Sequence, residues 1–324
     1  MNIEKRKIQK TGKATYIVSL PKPWIVKNGI HSGDSISISE EKDKSLKLSL
    51  SDIKEDFKEE IINNTDYKTK IEILRKFTTY YLNGANKITI NFNNKITSEE
   101  RNSIKSSIRK FIGLEIIEES PNKLVIQDFF SSDYLSIKKS IKRAFNISKL
   151  VIKESKKIIN NPKLGVENIN IWEEETDRLY FLVRRQLNFA IHNSIMLNKL
   201  KLTLSECQDY LILISKIEKI TDAFQKICIN VLKSKKINKK NSNTINNFFD
   251  EILNYYTDAM KSIFEKDTNI ANNIINIISK KSPTLVDLDE IALITEHNVY
   301  FILFYTHRSF TLVNDIAEIG LDLE

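Results

Sequence analysis

Two short strings in the C-terminal half of the chain hold the side chains best suited to chemistry. Both follow the pattern E-x-x-T-D, and they begin at Glu173 and Glu218. Helix residues four apart share one face, so each string presents a carboxylate pair about one turn apart. If the two helices are neighbours, Glu173, Asp177, Glu218 and Asp222 converge. A cation that prefers oxygen ligands relieves the repulsion among them, so the strings predict a divalent or trivalent metal ion, with iron, manganese, zinc and magnesium as candidates.

The simpler interpretation is that both strings form solvated helix faces, because E-x-x-x-D is common on exposed helices. Against it, each pair lies beside a row that turns inward, which contains Thr176 in the first string and Thr221 in the second. Carboxylate metal sites in helical bundles usually include histidines. No histidine stands at helical spacing from either pair, and the sequence leaves both interpretations open.

Motifs for other chemistry are absent from the sequence. It contains no Gly-rich dinucleotide loop, no P-loop, and no G-x-S-x-G or H-E-x-x-H string, and its four histidines lie far apart. The two cysteines, Cys207 and Cys228, form no C-x-x-C pair, which excludes a zinc finger and predicts reduced thiols in a core. The chain is therefore predicted not to be an enzyme.

Charge is spread unevenly along the 324 residues, whose net charge is +8. Residues 1–27 hold seven basic side chains against one acidic one, whereas residues 282–324 hold eight acidic side chains against one arginine. A dense basic segment predicts contact with a polyanion. No uncharged stretch reaches the roughly 18 residues that a membrane span requires, so the sequence predicts no membrane insertion and a cytoplasmic protein.

The pattern of strands and turns in the first fifty residues predicts a small β domain. Two strands, Ile3–Gln9 and Thr15–Leu20, flank a break at Lys10–Lys13, a short helix covers Pro21–Asn28, and two alternating strands lie around Ser35–Ser39 and Leu46–Leu50. A module this short buries too little surface to be stable alone, so a homodimer is predicted.

The middle of the chain is predicted as a small α+β domain over residues 66–128. Thr97 and Glu100 form a capping box for its second helix. The predicted elements are helices over Tyr67–Leu82 and Ser98–Phe111 and strands over Lys87–Phe92, Leu114–Glu119 and Leu124–Asp128.

The remainder is helical in pattern. Apolar residues recur every three and four positions, for example at Ile217, Ile220 and Phe224, and breaks divide the region into about six helices. The Lys- and Asn-rich stretch Lys233–Asn243 is the candidate linker between two halves, 132–235 and 241–324.

The N-terminal residues 5–50 resemble the SpoVT/AbrB swapped-hairpin DNA-binding domain. The features that carry the likeness are a basic first strand, Ser19-Leu20-Pro21 leading into a short helix, and Gly33-Asp34 before two closing strands. The resemblance implies a dimeric domain over residues 1–52 that presents Lys5, Arg6, Lys10 and Lys13 to DNA.

Residues from about 132 to 324 resemble PhoU, a phosphate-uptake regulator built from two three-helix repeats. Its metal motifs match the two carboxylate pairs, and Glu218–Ala223 matches a recurring string of that family. The second repeat departs from the pattern, because His307 and Thr311 occupy the Glu and Asp positions, which leaves a second metal cluster open. The whole order is similar to archaeal-type PhoU proteins with an AbrB-like head.

Together these resemblances imply a multidomain fold: a small swapped-hairpin β domain, a small α+β middle domain and an all-α C-terminal bundle of two three-helix repeats. They imply a regulator of phosphate uptake that binds DNA. Two alternatives stay open: a docking regulator of a phosphate transporter or sensor kinase whose head only dimerises, and a metal-dependent enzyme or metal store of the carboxylate-bundle type.

Overall fold

The computed structural model describes residues 4–40, 44–50, 57–129, 136–234, 237, 239–285 and 297–323. The chain forms two compact units, Met1–Asp56 and Phe57–Glu324. The predicted order of a β-hairpin region, a β-containing middle region and a helical C-terminal region is confirmed. Among the described helices, none combines the length and apolar character that crossing a membrane demands.

The N-terminal unit contains two antiparallel hairpins and one short helix. The first hairpin turns at Gly12, whose positive φ of 68° suits a glycine. Pairing starts beside this turn, which places the first strand later than predicted; the predicted start at Ile3 lies outside the described residues. The elements are β1 (Gln9–Thr11), β2 (Thr15–Ile17), α1 (Lys22–Lys27), β3 (Ile36–Glu40) and β4 (Leu46–Leu50).

The second unit begins with a four-stranded sheet and two helices. The strands follow the order β5-β6-β8-β7, in which β5 runs parallel to β6 and the other pairs are antiparallel. Its elements are β5 (Glu59–Asn63), α2 (Lys70–Leu82), β6 (Lys87–Asn91), α3 (Ser98–Ile108), β7 (Leu114–Ser120) and β8 (Lys123–Asp128). Alternation decides which residues face the helices: Ile88 and Ile90 of β6 are buried beneath Phe77 and Ile104.

Two boundaries of this region differ from the sequence prediction. Strand β5 lies before the predicted start at residue 66, and it is held by parallel pairing with β6, in which Ile62 is the partner of Ile90. Helix α2 begins at Lys70 because the Thr69 hydroxyl accepts a hydrogen bond from the Glu72 amide. The predicted capping box of Thr97 and Glu100 is confirmed at the start of α3.

Beyond the sheet region, the described part of the second unit consists mainly of long helices. They are α4 (Ile137–Asn160), α5 (Glu167–His192), the short α6 (Ser194–Leu200), α7 (Leu204–Lys233), α8 (Lys239–Glu265), α9 (Thr268–Leu285) and α10 (His297–Asp322). Helix α7 packs against α4, α5 and α10, and α10 also packs against α8 and α9. Since α8 starts at Lys239, part of the predicted linker Lys233–Asn243 is helical.

The core of this bundle follows the periodic rows seen in the sequence. Ile217, Ile220 and Phe224 of α7 are fully buried, as predicted from their spacing. Cys207 and Cys228 are buried free thiols, which confirms the prediction of reduced core cysteines. Their burial next to apolar neighbours leaves them as packing residues.

Candidate nucleic-acid interface and carboxylate cluster

The first hairpin presents the predicted DNA-contacting residues on an exposed surface. Lys10 lies on β1 opposite Tyr16, and Lys13 lies in the turn that joins β1 to β2. Lys5 and Arg6 precede β1, and the Arg6 guanidinium pairs with the Glu4 carboxylate. All four cationic side chains reach solvent, which is the condition for contact with a polyanion.

No residue of the N-terminal unit whose burial is described is enclosed. Large apolar side chains are instead left open: Val18 is 51% exposed, Ile38 64% and Leu46 66%. Monomeric soluble proteins rarely expose so much apolar surface, and where they do, it usually marks an interaction site. The unit as a single chain therefore lacks a core of its own among the described residues.

The four predicted carboxylates come from two packed helices, Glu173 and Asp177 from α5 and Glu218 and Asp222 from α7. Each is partly buried rather than pointing freely into solvent. The Gln225 amide donates to Glu173 Oε2 at 3.3 Å, which links the two helices beside the group. We call these four residues the carboxylate cluster.

The four carboxylates lie close enough together for their charges to affect one another. Burial is the main cause that raises the pKa of Glu173 to about 7, and the charges of Asp177 and Asp222 raise it further. Burial also raises the pKa of Glu218 to about 7, with added repulsion from Asp222, Asp177 and Glu173. A carboxyl with a pKa near 7 is partly protonated at neutral pH, so the site is short of positive charge.

Two lysines supply part of the missing positive charge. Lys110, just after α3, places Nζ 3.6 Å from Asp177 Oδ2. Lys226 of α7 places Nζ 2.8 Å from Asp222 Oδ2, and that hydrogen bond raises the pKa of Lys226. Burial raises the pKa of Asp177, although the Lys110 charge opposes this. The chain thus provides its own cations at both aspartates.

In this arrangement of side chains the cluster is not an assembled metal site. Within the described residues, no group of three or more His, Cys, Asp or Glu side chains is placed to hold a metal. The donor chemistry suits a hard cation, but Lys110 and Lys226 occupy two of the four carboxylates. The metal expectation therefore stays a prediction.

The predicted second half, 241–324, holds no acidic pair at the two positions singled out by the sequence, 307 and 311. His307 and Thr311 lie one turn apart on α10, and the Thr311 hydroxyl donates to the His307 carbonyl at 3.5 Å. The nearby Asp315 instead forms an ion pair with Lys216 of α7, with 2.5 Å between Nζ and Oδ2. This pair ties α10 to the helix that carries Glu218.

Sequence reasoning did not predict the two lysines as members of the cluster. Lys226 follows Asp222 by four residues, a spacing that predicts an ion pair on a helix and could have been used. Lys110 lies 67 positions before Asp177 in the chain. Only tertiary packing of the sheet region on α5 brings them together, so no local signal could have found it.

Comparison with known proteins gives one match, and it concerns the N-terminal unit. Residues 9–55 match the family described as antidote-toxin recognition MazE, bacterial antitoxin. Neither the comparison with curated proteins nor that with solved structures found a match to the chain. A domain like MazE and AbrB is consistent with a DNA-binding regulator. None of these comparisons matches the helical region to PhoU.

Proposed function

We propose that this protein is a cytoplasmic, DNA-binding transcriptional regulator that acts by binding rather than by catalysis. The observation that carries the proposal is the family match over residues 9–55, which coincides with the exposed basic hairpin of Lys10 and Lys13. Lys5 and Arg6 extend the same basic segment. Phosphate contacts from such side chains supply affinity, while base contacts decide the sequence preference.

The regulator is proposed to be a homodimer assembled through its N-terminal unit. A second copy would cover Val18, Ile38 and Leu46, which are more than half exposed in the single chain. If the dimer neutralises about six phosphates, the slope of log K against log salt is roughly −5. Analytical ultracentrifugation of Val18→Asp/Ile38→Asp should show loss of the dimer, whereas Thr15→Asp on the exposed hairpin should keep it.

DNA binding is tested by fluorescence anisotropy of the full chain on genomic fragments and on a random duplex. Arg6→Ala/Lys10→Ala should lower the affinity for the preferred fragment and reduce the slope of log K against log salt by about 3–4, because a dimer loses four cations. The matched control, Lys22→Ala/Lys27→Ala on α1, removes the same charge from another surface of the same unit. Equal effects of the two variants would reject the basic hairpin as the reading surface.

For the helical region, the finer proposal is a role in phosphate homeostasis, with a phosphate transporter or a signalling protein as its partner. Its support is the likeness of the E-x-x-T-D strings to PhoU and their position on the packed helices α5 and α7. Transcript levels of phosphate-uptake genes should change in a deletion strain under phosphate limitation. A protein that is retained on a partner but not on DNA at about 150 mM salt would indicate the docking alternative.

Cation binding at the carboxylate cluster is the second candidate property. The observation in its favour is that four partly buried carboxylates of the packed helices α5 and α7 lie close together. Burial, and then the charges of the neighbouring carboxylates, raise the pKa of Glu173 and of Glu218 to about 7. Elemental analysis should find a metal in the purified protein and none in Asp177→Asn/Asp222→Asn. The control Asp258→Asn/Glu265→Gln removes two exposed acids of α8. Absence of metal from the native protein would leave the lysines as the only cations of the cluster.

A further inference from the structure

Helix α4 carries the strongest concentration of positive charge in the second unit. It holds seven lysines and one arginine against a single glutamate. Together with the basic first segment, it carries more positive charge than the chain's net +8, so the rest of the protein is acidic overall. The proposed function of the N-terminal unit makes no use of this helix.

Four of these lysines form one row, which we call the α4 stripe: Lys138, Lys142, Lys149 and Lys153. Their spacing of 4, 7 and 4 residues keeps them on a single face. At 1.5 Å per residue, the stripe extends about 22 Å along the helix. Lys138, Lys142 and Lys153 are exposed, and Lys149 is partly covered because its Nζ lies 4.2 Å from the centre of the Phe145 ring.

The stripe is not neutralised by carboxylates, unlike three other cations of α4. Arg143 pairs with Glu175, Lys157 with Glu154, and Lys156 Nζ lies 2.5 Å from Asp250 Oδ1. Within the part of the chain that the structure describes, no ion pair involves the four stripe lysines. Burial, and then the charges of Lys153 and Lys142, lower the pKa of Lys149.

This arrangement has a cost for the free protein. Like charges four residues apart, as in Lys138–Lys142 and Lys149–Lys153, repel each other and destabilise the helix. An ordinary solvated face intersperses both signs along its surface. A row of one sign instead suits an extended anionic partner, whose charges are spread along a line.

We propose that the α4 stripe binds the phosphate backbone of duplex DNA, as a second and sequence-independent contact in addition to the N-terminal hairpin. The inference rests on the proposed function, because the hairpin makes DNA the polyanion that this chain meets. Duplex DNA presents one charge per 1.7 Å of its axis when both strands are counted, so a stripe of about 22 Å has several phosphates within reach. Binding through two linked modules raises the effective concentration of the second contact.

Phosphate contacts along α4 should end at Lys153, the C-terminal residue of the stripe. There Lys153, Lys156, Lys157 and Asp250 line an open cleft of about 450 Å³ between α4 and α8. The Asp250 carboxylate already occupies Lys156 and repels a phosphate that approaches it. The contacts therefore come from Lys138 to Lys153, where exposed ammonium groups act as point charges without a required orientation.

The test measures binding of the full-length protein to a 30-base-pair random duplex as a function of salt. Lys142→Gln/Lys149→Gln/Lys153→Gln should reduce the slope of log K against log salt by about 2–3 and weaken binding at 100 mM salt by about 10–100-fold. A matched control, Arg75→Gln/Lys261→Gln/Lys280→Gln, removes three cations from α2, α8 and α9. A third variant, Arg6→Gln/Lys10→Gln/Lys13→Gln, removes the hairpin contacts.

The outcomes separate the two proposals. If the stripe variant loses slope and the control does not, the α4 stripe contacts DNA. If the stripe variant and the control behave alike while the hairpin variant loses binding, the stripe inference is overturned and the proposed function stands. If the hairpin variant binds as the native protein does and the stripe variant does not, the hairpin proposal fails instead. A native protein that does not bind the duplex at about 50 mM salt overturns both.

Discussion

The guanidinium of Arg185 on α5 lies 2.6 Å from Asp128 Oδ2 at the end of β8, and the two side chains are only 10% and 6% exposed. The same guanidinium donates to the carbonyl oxygens of Tyr81 and Ala85 and lies over the Tyr81 ring. Each charge is therefore paired and hydrogen-bonded, as a buried charge must be. This single side chain fastens the sheet region to the helical bundle.

Removing one partner of this pair should strongly destabilise the second unit. Arg185→Leu leaves the Asp128 charge buried without compensation, and the expected loss is about 3–5 kcal/mol in urea unfolding followed by circular dichroism. The double variant Arg185→Leu/Asp128→Leu should lose less, because no uncompensated charge remains. Lys123→Ala, which breaks an exposed pair with Glu118, is the control and should cost below about 1 kcal/mol.

A pH dependence of stability follows from Glu218. Its pKa is about 7 in the folded protein against an ordinary 4.5, so between these values the folded state holds a proton that the unfolded state has released. This contribution favours folding most below pH 4.5 and is lost as the pH rises through 7. Glu218→Gln should therefore stabilise the protein at pH 8 by about 1–2 kcal/mol and have little effect near pH 4.5.

Chemical unfolding at a series of pH values measures this difference. The control substitution Glu115→Gln lies on an exposed position of β7 and should give a difference that does not change with pH. A Glu218→Gln effect that is the same at pH 4.5 and pH 8 would contradict the assignment of a raised pKa.

Removal of the Lys110 charge should change the titration of the carboxylate cluster. The Lys110 charge lowers the pKa of Glu173, so Lys110→Gln should raise that pKa above about 7. Carboxyl carbon chemical shifts of labelled Glu and Asp side chains report the titration directly. Lys105→Gln, five residues earlier and within α3, loses a contact with Glu119 and should leave the pKa of Glu173 unchanged. Identical curves in the two variants would show that Lys110 does not act on the cluster.

Close packing of α8 against α10 makes Gly320 sensitive to substitution. A Cβ at this position would lie 2.4 Å from Ser262 Oγ and 3.4 Å from Ala271 Cβ. Gly320→Ala should destabilise the protein by about 1–3 kcal/mol despite the better helix propensity of alanine. Adding Ser262→Ala removes the clashing oxygen and should recover most of that loss in thermal unfolding. No gain in the double variant would mean that the backbone itself must shift.

The elements that the sequence predicts well are those whose signal is local. The row Ile217, Ile220 and Phe224 repeats at helical spacing, and Thr97 with Glu100 marks a helix start, so neither depends on a distant partner. Strand β5 has only two adjacent apolar residues, Ile61 and Ile62, among polar ones. Its strand character comes from pairing with β6, which no local pattern contains.

The carboxylate cluster shows the same division between local and tertiary information. The spacing within Glu173–Asp177 and Glu218–Asp222 predicted two acidic faces, and the packing of α5 on α7 brings them within electrostatic range. The neighbouring cations could not all be predicted, because Lys110 comes from the sheet region, which is far from α5 along the chain.

Helix α5 runs unbroken from residue 167 to 192, and it holds both Asp177 and Arg185, whose positions are about 12 Å apart along its axis. The sheet region forms an ion pair with α5 at each of these residues, through Lys110 at Asp177 and through Asp128 at Arg185. We therefore expect a displacement of α5 relative to α7 to be felt at both contacts with the sheet region. A ligand of the carboxylates and an event at the sheet would share one mechanical linkage.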